Sequence, residues 1–235
     1  MSSIKTGLTG IFHDFIGLFY PNLCVGCEKS LHRNEKHLCL NCLVQLPRTN
    51  NHQTTDNAIE KRFYGKAEIE YASTFLYFEK EIVTQKLLHE IKYRGKKELG
   101  EQMGALFGSQ LANSRFSEID VIVPVPLHPN RFKVRGYNQS EWIARGIAKT
   151  MNKPLVNNVL KRAIENPTQT KKNVYERWEN TAGIFESENA HLIENKHLLL
   201  VDDVLTTGAT LEACVLPLKE IEGIKISIVA LAAAI

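Results

Sequence analysis

Residues 197–210 read His-Leu-Leu-Leu-Val-Asp-Asp-Val-Leu-Thr-Thr-Gly-Ala-Thr. An apolar run drives into two adjacent carboxylates, Asp202 and Asp203, and a hydroxyl-rich turn with one glycine follows. A continuous Leu/Val run suits a strand covered on both faces, as in parallel sheets. Ligands of such sheets sit beyond the carboxyl ends of the strands, where these two acids fall. Thr206-Thr207-Gly208-Ala209-Thr210 then opens a helix, whose free N–H groups and positive dipole end favour a phosphate. Gly208 lets the backbone turn with no Cβ in the way. Paired carboxylates repel unless hydroxyls or a cation use them, so they suit ribose hydroxyls or a divalent ion attached to a diphosphate. Acids and turn together describe a ribose 5-phosphate cradle. The pattern alone does not choose between sugar phosphates.

Around this stretch, strand and helix patterns alternate from Phe63 onward. Strands are expected over 69–78, 119–127, 197–201 and 224–233, and helices over 79–95, 96–113, 139–151 and 209–222. The alternation implies an α/β fold built on a mostly parallel sheet flanked by helices. Upstream, residues 4–19 place Ile4, Leu8, Ile11, Phe12, Phe15, Ile16 and Phe19 at helical spacing, an amphipathic helix with few cations for a membrane surface. Residues 47–62 are polar and read as a linker. The expected organisation is therefore 1–46 as helix plus cysteine module, 47–62 as linker and 63–235 as the α/β domain.

The chain has 235 residues, 43% hydrophobic and 23% charged, enough to bury a sizeable core. A net charge of +3 is too weak to announce a nucleic-acid binder. No apolar run reaches membrane-span length, and the N-terminus lacks a secretory pattern, so a cytoplasmic protein is expected. Cys24-x-x-Cys27 and Cys39-x-x-Cys42 stand eleven residues apart and fit one tetrahedral Zn²⁺ in a small ribbon. An iron site would use the same four thiolates. His32 and His37 fall between the pairs and read as surface residues, and Cys214 reads as a core residue.

A second segment, Pro124–Ser140, places Arg131, Lys133 and Arg135 just past a strand end. A diphosphate needs several cations and N–H donors, and this loop leaves its strand beside the same crevice. His128 within it reads as a hydrogen-bonded loop histidine. The YRGKK run at 93–97 (with Lys92, a basic cluster beside an aromatic) reads as a solvated helix end, with single-stranded DNA contact as the alternative.

Val201–Thr210 resembles the 5-phosphoribosyl 1-diphosphate (PRPP) signature of type I phosphoribosyltransferases. The wider set resembles the competence protein F family (ComF, including the gluconate-utilisation protein GntX): the four cysteines, IKYRG at 91–95, PVPLH…RGYNQ, PTQTKKNVYERWEN at 167–180, and VDDVLTTGAT. The resemblance implies a type I phosphoribosyltransferase fold with an N-terminal four-cysteine zinc ribbon. It implies that Asp202 and Asp203 hold the ribose hydroxyls and Thr206 to Thr210 the 5-phosphate. Arg131 and Arg135 would complete the PRPP site, with Mg²⁺ accompanying the diphosphate. Gln169, Thr170, Lys171, Arg177 and Asn180 would lie on a loop that closes over PRPP, with Asp202, Asp203, Arg135 and Arg177 serving the reaction. It also implies a role in DNA uptake during natural transformation, with single-stranded DNA and the uptake helicase machinery as partners. The alternative is a single-stranded-DNA-binding adaptor with little or no turnover.

Overall fold

The structure is a computed structural model and describes residues 21–78, 82–162 and 183–234. Its strands are β1 (Ala72–Tyr77), β2 (Val121–Pro124), β3 (Leu160–Arg162), β4 (Phe185–Ser187), β5 (His197–Leu205) and β6 (Lys225–Ala233). The helices are α1 (Leu40–Val44), α2 (Ile82–Tyr93), α3 (Lys97–Leu111), α4 (Pro129–Arg135), α5 (Gln139–Met151) and α6 (Ala209–Leu218). Four strands form one parallel sheet in the order β1-β6-β5-β2, while β3 and β4 pair antiparallel. The α/β class and the helix-flanked parallel sheet read from the sequence are the ones found.

Strand periodicity explains why Leu198–Val201 of β5 are apolar without a break. Leu199 and Val201 point into a core shared with Leu87, Met103, Phe107, Ile143 and Ile147. Leu198 and Leu200 point the other way, against Phe63, Leu211, Val215 and Leu218. Both faces are buried, so each position from Leu198 to Val201 is apolar, and the two acids that follow stand out against that pattern. Helices α5 and α6 thus lie on opposite faces of the sheet. The connections after β2 and β5 therefore diverge and leave a crevice at the strand ends.

Several expected boundaries shift for identifiable reasons. Strand β2 spans Val121–Pro124 within the expected 119–127, with Val125 N–H still donating to the Val201 carbonyl at 2.9 Å, and Pro124 is tolerated because its nitrogen faces the sheet's open edge. The basic segment beyond it is the short helix α4, not an open loop. His128 caps it, its Nδ1 accepting from Asn130 N–H at 3.1 Å, which gives that histidine a structural role. Residues 47–62, expected to be a linker, are packed chain. The Asn57 side chain donates to the Ala72 carbonyl at 3.0 Å, Ile59 is fully buried, and the Glu60 carboxylate meets Arg115. Few apolar residues are needed there because hydrogen bonds to β1 do the anchoring. The amphipathic segment 4–19 lies outside the described residues.

Candidate functional site

Asp202 and Asp203 are buried near the carboxyl end of β5 and line the crevice. Asp202 Oδ1 accepts from the Ser140 hydroxyl at 3.0 Å and from the Asp203 N–H at 2.8 Å. Ser140 is delivered by the start of α5, where Asn138 caps the helix through Ser140 N–H and also donates to the Val125 carbonyl at 2.9 Å. Burial, then the neighbouring charge of Asp203, raises the Asp202 carboxyl to about 7, against the Asp203 N–H, the Ser140 hydroxyl and Lys92. Lys92 Nζ stands 3.1 Å from Asp203 Oδ2. That contact lacks hydrogen-bond alignment, and Oδ2 is buried with no hydrogen-bond partner in the protein. A buried carboxylate oxygen held by a single lysine keeps acceptor capacity that a ribose hydroxyl or a hard cation would use.

The turn after β5 has the conformation its residues predict. Gly208 sits at φ +93° as the N-cap of α6, a region L side chains rarely adopt. Thr206, Thr207, Ala209 and Thr210 are all exposed around the open end of α6. A cleft of about 1010 Å³ gathers Asp202, Asp203, Thr206 and Thr210 with Arg131 and Arg135. Thr207, Gly208 and Ala209 shape the turn without lining that cleft, and Lys133 points elsewhere. Arg135 donates to Gln139 Oε1 at 2.6 Å and lies 5.3 Å from the Tyr93 ring centre, so its guanidinium is pre-oriented. Gln169, Thr170, Lys171, Arg177 and Asn180 lie outside the described residues.

Lys92, Ser140 and Arg162 also line the cleft, and the sequence marks none of them for this site. Lys92 sits in the IKYRG run, which reads as a surface patch. Ser140 was grouped with a loop, while it is the hydroxyl that holds Asp202. Arg162, at the end of β3, gave no signal; it enters the cleft from the hairpin and also covers the Phe185 ring at 5.3 Å. Three of the basic run's cations have partners within the chain. Lys92 faces Asp203, Lys96 pairs with Glu90 at 2.7 Å, and Lys97 lies over Trp142 at 4.7 Å.

Residues 138–235 match the family model described as the phosphoribosyl transferase domain. Over that stretch the chain is similar to phosphoribosyl transferase domains. The matched span begins at the cap of α5 and includes Ser140, both acids and the whole turn. Among curated relatives, competence protein ComFC of Bacillus subtilis is 32% identical over 53% of this chain and 48% of its own length. Competence protein F of Haemophilus influenzae is 33% identical over 39% of this chain and 41% of its own. The match thus spans about half, or less, of these first relatives. The DNA utilization protein YhgH of Escherichia coli is 25% identical over 83% of both chains. These relatives bear out the resemblance to the competence protein F family. A hypoxanthine phosphoribosyltransferase of Staphylococcus aureus superposes with a TM-score of 0.39 at 17% identity, over 59% of this chain and 65% of that one. That likeness is too remote to add to the fold, which rests on the sheet and the family model. Among the described residues no helix is long and apolar enough to cross a membrane.

Ahead of the matched span, the sulfurs of Cys24, Cys27, Cys39 and Cys42 lie within 4.8 Å of one another. Cys27 and Cys39 Sγ are 3.7 Å apart. A zinc tetrathiolate with bonds near 2.3 Å has sulfur–sulfur edges of about 3.8 Å, so the cluster fits such an ion. Gly26 is required here: a Cβ would stand 2.8 Å from Cys42 Sγ. N–H groups point at the sulfurs, Cys39 N–H to Cys24 Sγ at 3.3 Å and Cys42 N–H to Cys39 Sγ at 3.5 Å. Cys24, Val25, Leu38, Cys42 and Leu46 join the core under α2, so the module is part of the fold. Cys214 is fully buried within the other core, as its core reading expects. Elemental analysis is expected to find one metal per chain, with zinc leaving the protein colourless and iron giving visible absorption. Cys42→Ser is expected to lose it and lower the melting temperature by roughly 5 °C.

Proposed function

We infer that the chain binds PRPP in the crevice at the ends of β2 and β5, as a cytoplasmic phosphoribosyltransferase-like protein serving DNA uptake. The observation that carries this is one cleft joining two β5 carboxylates, a threonine turn at a helix start, and the cations Arg131, Arg135 and Arg162. Each part answers one part of PRPP. The ribose 2- and 3-hydroxyls donate to Asp202 and Asp203, the 5-phosphate lies on the N–H groups and hydroxyls of Thr206 to Thr210, and the diphosphate faces the arginines. Mg²⁺ would arrive on the diphosphate within reach of Asp202 and Asp203, and would neutralise the leaving group. The four cysteines would hold a structural Zn²⁺.

The reaction this arrangement favours is displacement at the anomeric carbon. The bond from C1 to the diphosphate oxygen breaks as an acceptor's lone pair bonds to C1, and positive charge builds on the ribose ring. Arg131, Arg135 and Arg162 stabilise the departing diphosphate, and the two carboxylates hold the ring hydroxyls while its charge develops. No side chain forms a covalent bond. Arg177, with Gln169, Thr170, Lys171 and Asn180, would add to the same site.

The role in DNA uptake is supported by the names of the relatives, a competence protein and a DNA utilization protein. The second reading, a single-stranded-DNA adaptor with little turnover, draws on the same names. Calorimetry with PRPP and Mg²⁺, followed by diphosphate-release assays over bases, nucleotides and oligonucleotides, separates the two. The transferase reading expects PRPP binding and release with one acceptor class. PRPP binding without release, together with single-stranded DNA binding that weakens steeply with salt, favours the adaptor. Absence of PRPP binding would remove both the site and the activity.

A further inference from the structure

Just before the expected α/β domain, Arg62 reaches across the fold to the phosphate turn. Its Nη1 donates to the Thr206 carbonyl at 2.7 Å and its Nη2 to the Ala234 carbonyl at 2.6 Å. One planar guanidinium therefore ties the first residue after β5 to the end of β6. Arg62 is not among the residues that line the cleft. Its neighbours brace the same turn. Phe63 is fully buried, and its ring edge lies 3.4 Å from where a Cβ on Gly208 would stand. Lys66 Nζ is 3.7 Å from the Glu212 carboxylate, one turn into α6.

We propose that Arg62 is a positioning residue that sets the phosphate turn in its binding conformation through the Thr206 carbonyl. The physical link is the peptide plane. In a planar trans peptide the Thr206 carbonyl and the Thr207 N–H point in opposite directions. Fixing that carbonyl on Arg62 fixes the Thr207 N–H away from it and sets where the following residues begin their turn into α6. The last ladder bond before the turn is Ala234 N–H to the Leu205 carbonyl at 3.1 Å, so without Arg62 the Thr206 carbonyl lies beyond the sheet's own ladder. The rigid two-pronged geometry matters, because a lysine offers a point charge and cannot hold two carbonyls in a fixed fork.

This inference rests on the sugar-phosphate reading of the turn, and the test keeps the two apart. Titrate the full-length protein, its Arg62→Ala and its Arg62→Lys variants with ribose 5-phosphate, and separately with Mg²⁺-diphosphate, recording melting temperatures alongside. The expected result is that Arg62→Ala weakens ribose 5-phosphate about tenfold, the size of one or two lost hydrogen bonds. Diphosphate binding, which Arg131 and Arg135 carry, stays within twofold or so. Arg62→Lys lies between, and guanidinium ion restores part of the loss in Arg62→Ala. Equal ribose 5-phosphate affinity in all three overturns the inference while the site stands. Parallel weakening of both ligands with a falling melting temperature also overturns it, because Arg62 then only supports the fold. A parent protein that binds no ribose 5-phosphate overturns the inference and the sugar-phosphate reading together.

Discussion

Asp202→Asn is expected to make the protein more stable at pH 8 and to weaken PRPP about 100-fold, the loss of one strong charge-assisted contact. The opposite signs follow from one cause. In the ligand-free fold, burial and then the charge of Asp203 hold the Asp202 carboxyl raised to about 7. A carboxyl whose folded value is raised favours the fold most below its unfolded value near 3.8, and that advantage is lost as pH rises through 7. Above pH 7 the buried ionised form opposes folding by on the order of 4 kcal/mol relative to an unshifted acid. Asparagine keeps the oxygen that accepts from Ser140 and the Asp203 N–H, yet cannot ionise. Urea denaturation at pH 5 and pH 8 should therefore show a falling stability in the parent and a flatter profile in the variant. Identical pH slopes would sink the argument. Calorimetry on the same two proteins supplies the binding half, and Asp202→Asn with Asp203→Asn should bind no PRPP at all.

That trade-off also explains what the sequence makes legible. Paired acids at the end of an apolar strand are costly without a ligand, so Asp202 and Asp203 stand out by pattern. Gly208 and its flanking threonines stand out because a left-handed turn opening a helix allows few residue types. The sheet is legible for the same reason, since β5 must be apolar on both faces. Contacts that close the site from a distance leave no such trace. Arg62 reaches Thr206 across 144 positions of chain, and Ser140 reaches Asp202 across 62. Arg162 is one cation in a polar segment, with nothing local to mark where the β3–β4 hairpin carries it. Residues 47–62 look like a tether because their anchoring is by hydrogen bonds, and composition records only apolar content. The cysteine module is legible as a metal site from spacing, but its packing under α2 is not.

Gly146→Ala, a change helix propensity alone would favour, is expected to destabilise the fold by about 3 kcal/mol or more through overpacking. Helices α3 and α5 meet backbone to backbone. A Cβ on Gly146 would stand 2.0 Å from the Glu101 carbonyl oxygen, and one on Gly104 would stand 2.1 Å from the Ile143 carbonyl oxygen. Neither neighbour is a flexible side-chain end, so the helices must move apart by about an ångström to restore ordinary contact distances. The movement reaches the site, because α5 starts at Gln139 and carries Ser140, whose hydroxyl holds Asp202 at 3.0 Å. PRPP affinity should fall about tenfold, as misplacement of a single site hydrogen bond implies. Gly100→Ala on the same face of α3 is the control. Its Cβ would meet Ile91, Trp142 and Ile143 side chains at 3.6 to 3.7 Å, ordinary contact distances. It should leave stability unchanged or slightly raised, and leave binding intact. Denaturant melts and PRPP titrations on the three proteins check both halves. Equal losses for Gly146→Ala and Gly100→Ala would show that the helix contact does not set the position of Ser140, and the close approach of α3 and α5 would then matter only to the core.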